Sequence, residues 1–281
     1  MAGGAPLNAM TIDVEDYFQV SAFDGCVSRS EWHGFESRVC GNTERLLEIL
    51  DEAGVRATFF VLGWVAERFP ALVRRIHERG HELASHGYGH GLVYAGTPDD
   101  FRADLRRARQ AIESAAGVRV AGYRAPSFSI TRESLWAIDV LIDEGYTYDA
   151  SIYPIHHDRY GIPGWTRHPH RIERAGGSIW EVPGSTVSCA GINLPVGGGG
   201  YFRMLPYQWT SSGIRRLNNH EGRSAIFYLH PWEVDPGQPR IPAGLLSSFR
   251  HYRNLDKTEG RLRRLLDEFR FGRISDLLDA A

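Results

Sequence analysis

The chain has 281 residues, 42% hydrophobic and 11% aromatic, enough to bury a sizeable core in a single α/β domain. Its 32 basic residues nearly balance its 34 acidic ones, so no global field attracts nucleic acid or a membrane. Cys26, Cys40 and Cys189 form no close pair, which argues against a disulfide framework or a cysteine-held metal and favours a reducing compartment.

Residues 1–9 lack the basic stretch and apolar run of a signal peptide, and no run of about 18 apolar residues occurs, so no membrane span and a cytoplasmic location are expected. Residues 7–12 (LNAMTI) read as a buried first strand that delivers Asp13-Val14-Glu15-Asp16 at its end. An aromatic-bearing loop follows over 17–41. Asn42-Thr43 then offers an N-cap for a helix over 44–53, and Ala57 to Leu62 is a continuous apolar strand.

The alternation repeats: helix 66–78, strand 81–85, helix 98–116, strand 118–123, helix 132–144, strand 146–151. Strands alternating with helices of this length imply βαβ units, parallel strands and a barrel or barrel-like closed sheet. Beyond 151 the rhythm loosens. Residues 153–177 read as a long loop rich in Pro, Gly, His and Arg; 178–182 and 225–229 read as strands, 259–269 as an amphipathic helix and 273–278 as a last short element. The four glycines 197–200 lack a following Lys-Ser/Thr and make no phosphate cradle. With no internal repeat and no linker, residues 1–281 are expected to form one domain: a motif-bearing part over about 7–235 and a helical extension over about 236–281.

Five polar clusters fall at the ends of expected strands, the rim where parallel barrels gather functional residues. They are Asp13-Val14-Glu15-Asp16, Ser85-His86-Gly87-Tyr88-Gly89-His90, Tyr123-Arg124-Ala125-Pro126-Ser127-Phe128, Tyr148-Asp149-Ala150-Ser151 and Tyr228-Leu229-His230-Pro231-Trp232. Two imidazoles four residues apart can reach one ion, and with a carboxylate from the first cluster they form a common hydrolytic metal set. Taken alone the histidine pair could equally be two polar loop residues.

The ordered set D-x-E, H-x-x-x-H, R-x-P-x-x-F, D-x-S and L-H-P, from about 7 to 231, resembles the NodB-homology polysaccharide deacetylases, carbohydrate esterase family 4. The segments TIDVEDYF, WEVPGST and HYRNL also resemble the subgroup found beside exosortase-linked exopolysaccharide clusters. This resemblance implies a distorted (β/α) barrel and a metal-dependent hydrolase that removes N-acetyl groups from N-acetylhexosamine units of a bacterial polysaccharide. It implies a zinc ion, with cobalt as the alternative, held by His86, His90 and one carboxylate. Asp13 would be the general base, Arg124 the partner that keeps it ionised, His230 the acid for the leaving nitrogen, and Asp149 a residue that orients His230 or shapes the pocket. The substrate would be an N-acetylated glycan, lipid-linked if met before export, with no nucleic-acid partner.

The family's usual two adjacent aspartates followed by glycine are replaced here. In an extended strand Asp13 and Glu15 share a face, which selects Glu15 as the metal carboxylate; a chain that turns right after Val14 would offer Asp16 instead. Tyr153 and Trp232 are candidate walls for a sugar ring, with plain core residues as the alternative. His156, His157, His168 and His170 read as solvated loop residues rather than a second metal site, and Glu233 and Asp235 as supporting or surface groups. The stretch 248–257, with Arg250, His251, Tyr252 and Arg253, reads as a packed and solvated extension rather than a glycan contact. A cyclic-amide or imide hydrolase of the same superfamily, or a glycan-binding relative without chemistry, are the competing readings.

Overall fold

The computed structural model describes residues 6–280; the first five residues, on which part of the signal-peptide reading falls, lie outside the described residues. The first half alternates strand and helix: β1 (Asn8–Val14), α1 (Val39–Glu52), β2 (Thr58–Val61), α2 (Gly63–Arg68), α3 (Pro70–Glu78), β3 (Glu82–Ser85), α4 (Pro98–Ala116), β4 (Gly122–Tyr123), α5 (Trp136–Asp143) and β5 (Tyr148–Asp149). Two hairpins follow, β6 (His170–Arg174) with β7 (Gly177–Glu181) and β8 (Thr186–Cys189) with β9 (Ile192–Pro195). Then come α6 (Gly199–Met204), α7 (Tyr207–Asn219), β10 (Ile226–Leu229), α8 (Leu245–Tyr252), α9 (Leu255–Glu268), β11 (Phe271–Gly272) and α10 (Ile274–Asp279).

Nine strands join in the order β10-β1-β2-β3-β4-β5-β7-β6, with β11 added to the start of β1; every pairing is parallel except β6 with β7. This is the expected distorted (β/α) barrel, its edges being β10 and the antiparallel β6. Side-chain alternation divides the core in two. Ile12, Phe59 and Val61 join the large cluster between sheet and helices, whereas Ala9, Phe60, Ala84, Tyr148, Val182 and Ile226 fill the narrow interior. No helix among the described residues is long and apolar enough to cross a membrane.

Several expectations need correction. Helix α1 starts at Val39 rather than 44, because the distant Asp16 carboxylate accepts the Arg38 and Val39 N–H groups at 2.9 and 3.1 Å and caps the first turn. The helix expected over 66–78 is two helices broken at Phe69 (φ −129°, ψ 58°), the residue before Pro70 being held out of the α region. The loop expected over 153–177 contains β6, the hairpin β8–β9 and helices α6 and α7 were not expected, and α8 lies in the helical extension expected over about 236–281. The glycine run is built rather than slack. Gly198 (φ 117°) bridges to Tyr228, and an added Cβ there would meet the Tyr228 carbonyl oxygen at 2.1 Å. The C-terminal segment is no mere appendage, since β11 returns to pair with β1 and α10 packs beside it.

Candidate active site

Four parallel strands deliver the site at their C-terminal ends. β1 carries Asp13 next to its last residue, Val14, and passes on to Glu15, β3 leads to His86 and His90, β4 to Arg124, and β10 to His230. All but His230 are nearly completely buried. The backbone is strained where it meets the site: His90 (φ 53°), Ser127 (φ 52°) and Phe128 (φ 52°) are left-handed non-glycine residues, and all three line the same cavity.

Glu15, His86 and His90 each offer one ligand atom, and these atoms lie within 4.8 Å of one another. Glu15 Oε2 is 2.7 Å from His90 Nε2 and 3.9 Å from His86 Nε2. His86 Nδ1–H donates to the Arg124 carbonyl at 2.9 Å, which leaves its Nε2 lone pair facing Glu15. Burial pushes His86 down to about 4 and so keeps it neutral. Burial works against the Glu15 charge, but His90 and His230 hold that carboxyl at about 2. Two neutral-capable imidazoles and an ionised carboxylate with their lone pairs converging are a donor set that fits a divalent ion. Asp16 faces elsewhere. It accepts from the Ser37 hydroxyl and from the backbone N–H groups of Tyr17, Arg38 and Val39, so its lone pairs are already committed.

Asp13 Oδ1 is fixed by Arg124 at 2.7 Å, and Arg124 also donates to Thr11 Oγ1 and the Ala150 carbonyl while its guanidinium lies 4.2 Å from the centre of the Phe60 ring. His230 Nε2 points into the same space, 3.9 Å from Asp13 Oδ2 and 3.8 Å from Glu15 Oε1. Its Nδ1 is held by Glu233 Oε1 at 2.7 Å, and Glu233 in turn pairs with buried Arg203. Burial opposes a charge on His230, yet Glu15, Glu233 and Asp13 raise it to about 9. The share contributed by Glu15 is the share that a bound cation would cancel.

Asp149 does not orient His230. It pairs in register with Glu181 across β5 and β7, accepts from Ser151 and lies outside the cavity wall. Burial raises Asp149 to about 6, and burial with the Asp149 charge raises Glu181 well above the usual range, so the pair retains a proton between oxygens that have no other partner. Tyr153 takes the plain-core alternative, being wholly buried against Phe128, Ile155 and Tyr228. Trp232 does line the cavity; its indole N–H donates to Glu15 Oε1, and it is stacked between His230 and His251. Of the loop histidines, His157 reaches the cavity by stacking on Tyr160, and among the described residues the three-ligand cluster is Glu15, His86 and His90. Asp235 ties Arg38 and Asn42.

Glu233, read as a supporting or surface group, is the residue that holds His230, whereas Arg203 was missed. His230-Pro231-Trp232-Glu233 has the spacing of a capping box with proline at the first helical position, a signal that could have found Glu233. Nothing local marks Arg203, which α6 brings from 27 positions upstream of His230. The cavity these residues floor is about 410 Å³, walled by Tyr94, Phe128, Tyr160, Tyr201 and Tyr228.

Residues 32–148 match the family model described as polysaccharide deacetylase. They carry His86, His90 and Arg124, whereas residues 150–279, which hold Arg203, His230 and Glu233, match a domain of unknown function, DUF3473. Among curated relatives, a peptidoglycan-N-acetylglucosamine deacetylase of Bacillus cereus is 33% identical over 98 residues, 34% of this chain and 36% of that protein. A chitooligosaccharide deacetylase of Rhizobium leguminosarum is 30% identical over 134 residues, 48% of this chain and 54% of that protein. The chain thus spans only about a third to a half of the curated relatives it matches.

Two solved structures share the fold across the chain. A Mycobacterium smegmatis protein assigned as a polysaccharide deacetylase superposes with a TM-score of 0.64 at 24% identity, covering 100% of this chain and 91% of that one. The allantoinase PuuE superposes with a TM-score of 0.65 at 13% identity, covering 99% and 90%. A fold shared by differently named enzymes leaves the chemistry to be argued from the site.

Proposed function

We propose that this chain is a metal-dependent hydrolase that removes N-acetyl groups from N-acetylhexosamine units of a bacterial polysaccharide. The observation that carries the reading is the convergence of Asp13, Glu15, His86, His90 and His230 on one aromatic-walled cavity, with Arg124 fixing Asp13. The deacetylase relatives and the matched family segment support it. A zinc ion, or cobalt in its place, held by Glu15, His86 and His90 would polarise the acetyl carbonyl and acidify a water.

The chain's own groups do the rest. Asp13 Oδ2 is the oxygen left free by Arg124, and it takes the proton of the attacking water while the guanidinium keeps the carboxylate aimed. His230 Nε2 gives its proton to the departing nitrogen as the C–N bond breaks, so acetate and a free amine leave. Glu233 holds His230 by Nδ1, which directs the Nε2 proton at the substrate, and Arg203 holds Glu233. Tyr94 and Tyr201 line the cavity with rings on which a sugar can stack.

The motifs TIDVEDYF, WEVPGST and HYRNL support placing the chain in the exosortase-associated subgroup, with exopolysaccharide biosynthesis as its setting and a lipid-linked glycan as its substrate form. The test is acetate release from N-acetylglucosamine oligomers by protein reloaded with zinc or cobalt, beside His86→Ala. Release that needs both metal and His86 is expected. No release with the ion demonstrably bound, accompanied by hydrolysis of small ring amides, would overturn the deacetylase reading in favour of a cyclic-amide hydrolase.

A further inference from the structure

Three of the six large apolar side chains exposed among the described residues lie on one helix. In α8, Leu245 is 92% exposed, Leu246 61% and Phe249 54%, more than half exposed for residues that ordinarily seek burial. They lie at i, i+1 and i+4, so they share one helical face with exposed Arg250 and Arg253 at its C-terminal end. The Arg253 guanidinium lies 5.2 Å from the Phe249 ring centre, and Arg240 lies 4.9 Å from the Tyr252 ring centre. Residues 236–255 contain three arginines and no acidic residue, and none of the three pairs with a carboxylate among the described residues.

The helix is firmly seated despite this outer face. Arg203 donates to the carbonyls of Arg250, His251 and Arg253, and His251 is buried against Trp232 with its Nε2 on Gln238. Arg250 and His251 line the cavity described above, so the apolar ridge stands beside its mouth.

We propose that the outer face of α8 docks on an anionic lipid bilayer, with Leu245, Leu246 and Phe249 in the headgroup-acyl boundary and Arg240, Arg250 and Arg253 on lipid phosphates. Two features favour a bilayer over a protein. The side chains protrude singly rather than lining a groove, which suits a fluid partner that closes around them, and the charge beside them is of one sign, complementary to anionic headgroups. Docking would bring the cavity mouth to the level where the sugar of a lipid-linked glycan begins. The docking itself needs no substrate and does not rest on the hydrolase reading.

The test is co-sedimentation of the full chain with vesicles of phosphatidylcholine alone or mixed with phosphatidylglycerol, at low and high salt. Binding to the mixed vesicles is expected, weakened by salt, and lowered at least about tenfold by Leu245→Gln, Leu246→Gln and Phe249→Gln combined. Phe249→Trp supplies a second readout, since its emission should shift to the blue on mixed vesicles. Acetate release by the triple variant from water-soluble oligomers should match the parent, which separates loss of docking from loss of the site. Equal sedimentation of parent and triple variant, or no binding and no spectral shift, overturns the proposal. A concentration-dependent dimer that the triple variant abolishes, without vesicle binding, assigns the face to a second copy instead.

Discussion

Replacing Glu233 by Gln tests how His230 is held. Glu233 is wholly buried between His230 Nδ1, 2.7 Å away, and the Arg203 guanidinium, and glutamine keeps its size and one acceptor oxygen but not its charge. Breaking a buried ion pair from one side costs about 3–5 kcal/mol, and the lower end applies because Arg203 retains three backbone carbonyls and the amide oxygen can still accept. At about 2 °C per kcal/mol for a chain of this size, the denaturation midpoint should fall by about 6 °C, leaving the protein folded at room temperature. A positioned acid contributes about 10²–10⁴ in rate, so a misaimed one that is still present should lower kcat by about 10- to 100-fold with KM little changed. Calorimetry gives the first number and acetate release over a range of oligomer concentrations the second. A kcat within about threefold of the parent, or an equal kcat loss in Asp149→Asn, would refute the assignment of this role to Glu233.

The buried Asp149–Glu181 pair predicts a stability that falls as pH rises. Burial raises both carboxyls above their unfolded values, so the folded chain holds protons that the unfolded chain has lost; the pair costs nothing below about pH 4 and increasingly destabilises as pH climbs through about 6 and beyond. Asp149→Asn should flatten that decline in urea titrations across pH, and an unchanged slope would show that the pair does not share a proton. Gly198→Ala should destabilise by more than about 3 kcal/mol or prevent folding, because its Cβ meets backbone at 2.1 Å, whereas Gly191→Ala, with φ 80° and open space, should cost about 1 kcal/mol; comparable costs would sink the close-approach account. Zinc at about 100 times its dissociation constant should add about 2.7 kcal/mol, or about 5 °C, to the parent after chelator treatment and nothing to His86→Ala. A midpoint that zinc leaves unmoved would place no ion at Glu15, His86 and His90.

The sequence displayed the site better than the scaffold's second half, and the reason is physical. Asp13, Glu15, His86, His90, Arg124 and His230 each sit where a parallel strand ends, so the same alternation that revealed the strands placed these residues on one rim. The choice of Glu15 over Asp16 rested on the two-residue period of a strand and on the resemblance to D-x-D variants; in the structure Glu15 follows the end of β1 and Asp16 is spent on capping α1. After residue 151 the order is made by contacts that no local pattern records: an antiparallel hairpin, glycines shaped by Tyr228, and Arg203 reaching across to Glu233.

The misassignment of Asp149 follows from the same limit. A carboxylate at a strand end looks alike whether its neighbour is a histidine or another carboxylate, and only the register of β5 with β7 shows that it faces Glu181. His230 meanwhile takes its partner from its own chain, three residues on, because Pro231 starts a 3-10 turn that folds Glu233 back onto the imidazole. That turn also lays Trp232 flat between His230 and His251, so His230, Glu233 and the seat of α8 are one packed unit. A change in how α8 is seated therefore reaches His230 through Trp232 and Arg203, two contacts away, whereas a change on the outer face of α8 does not.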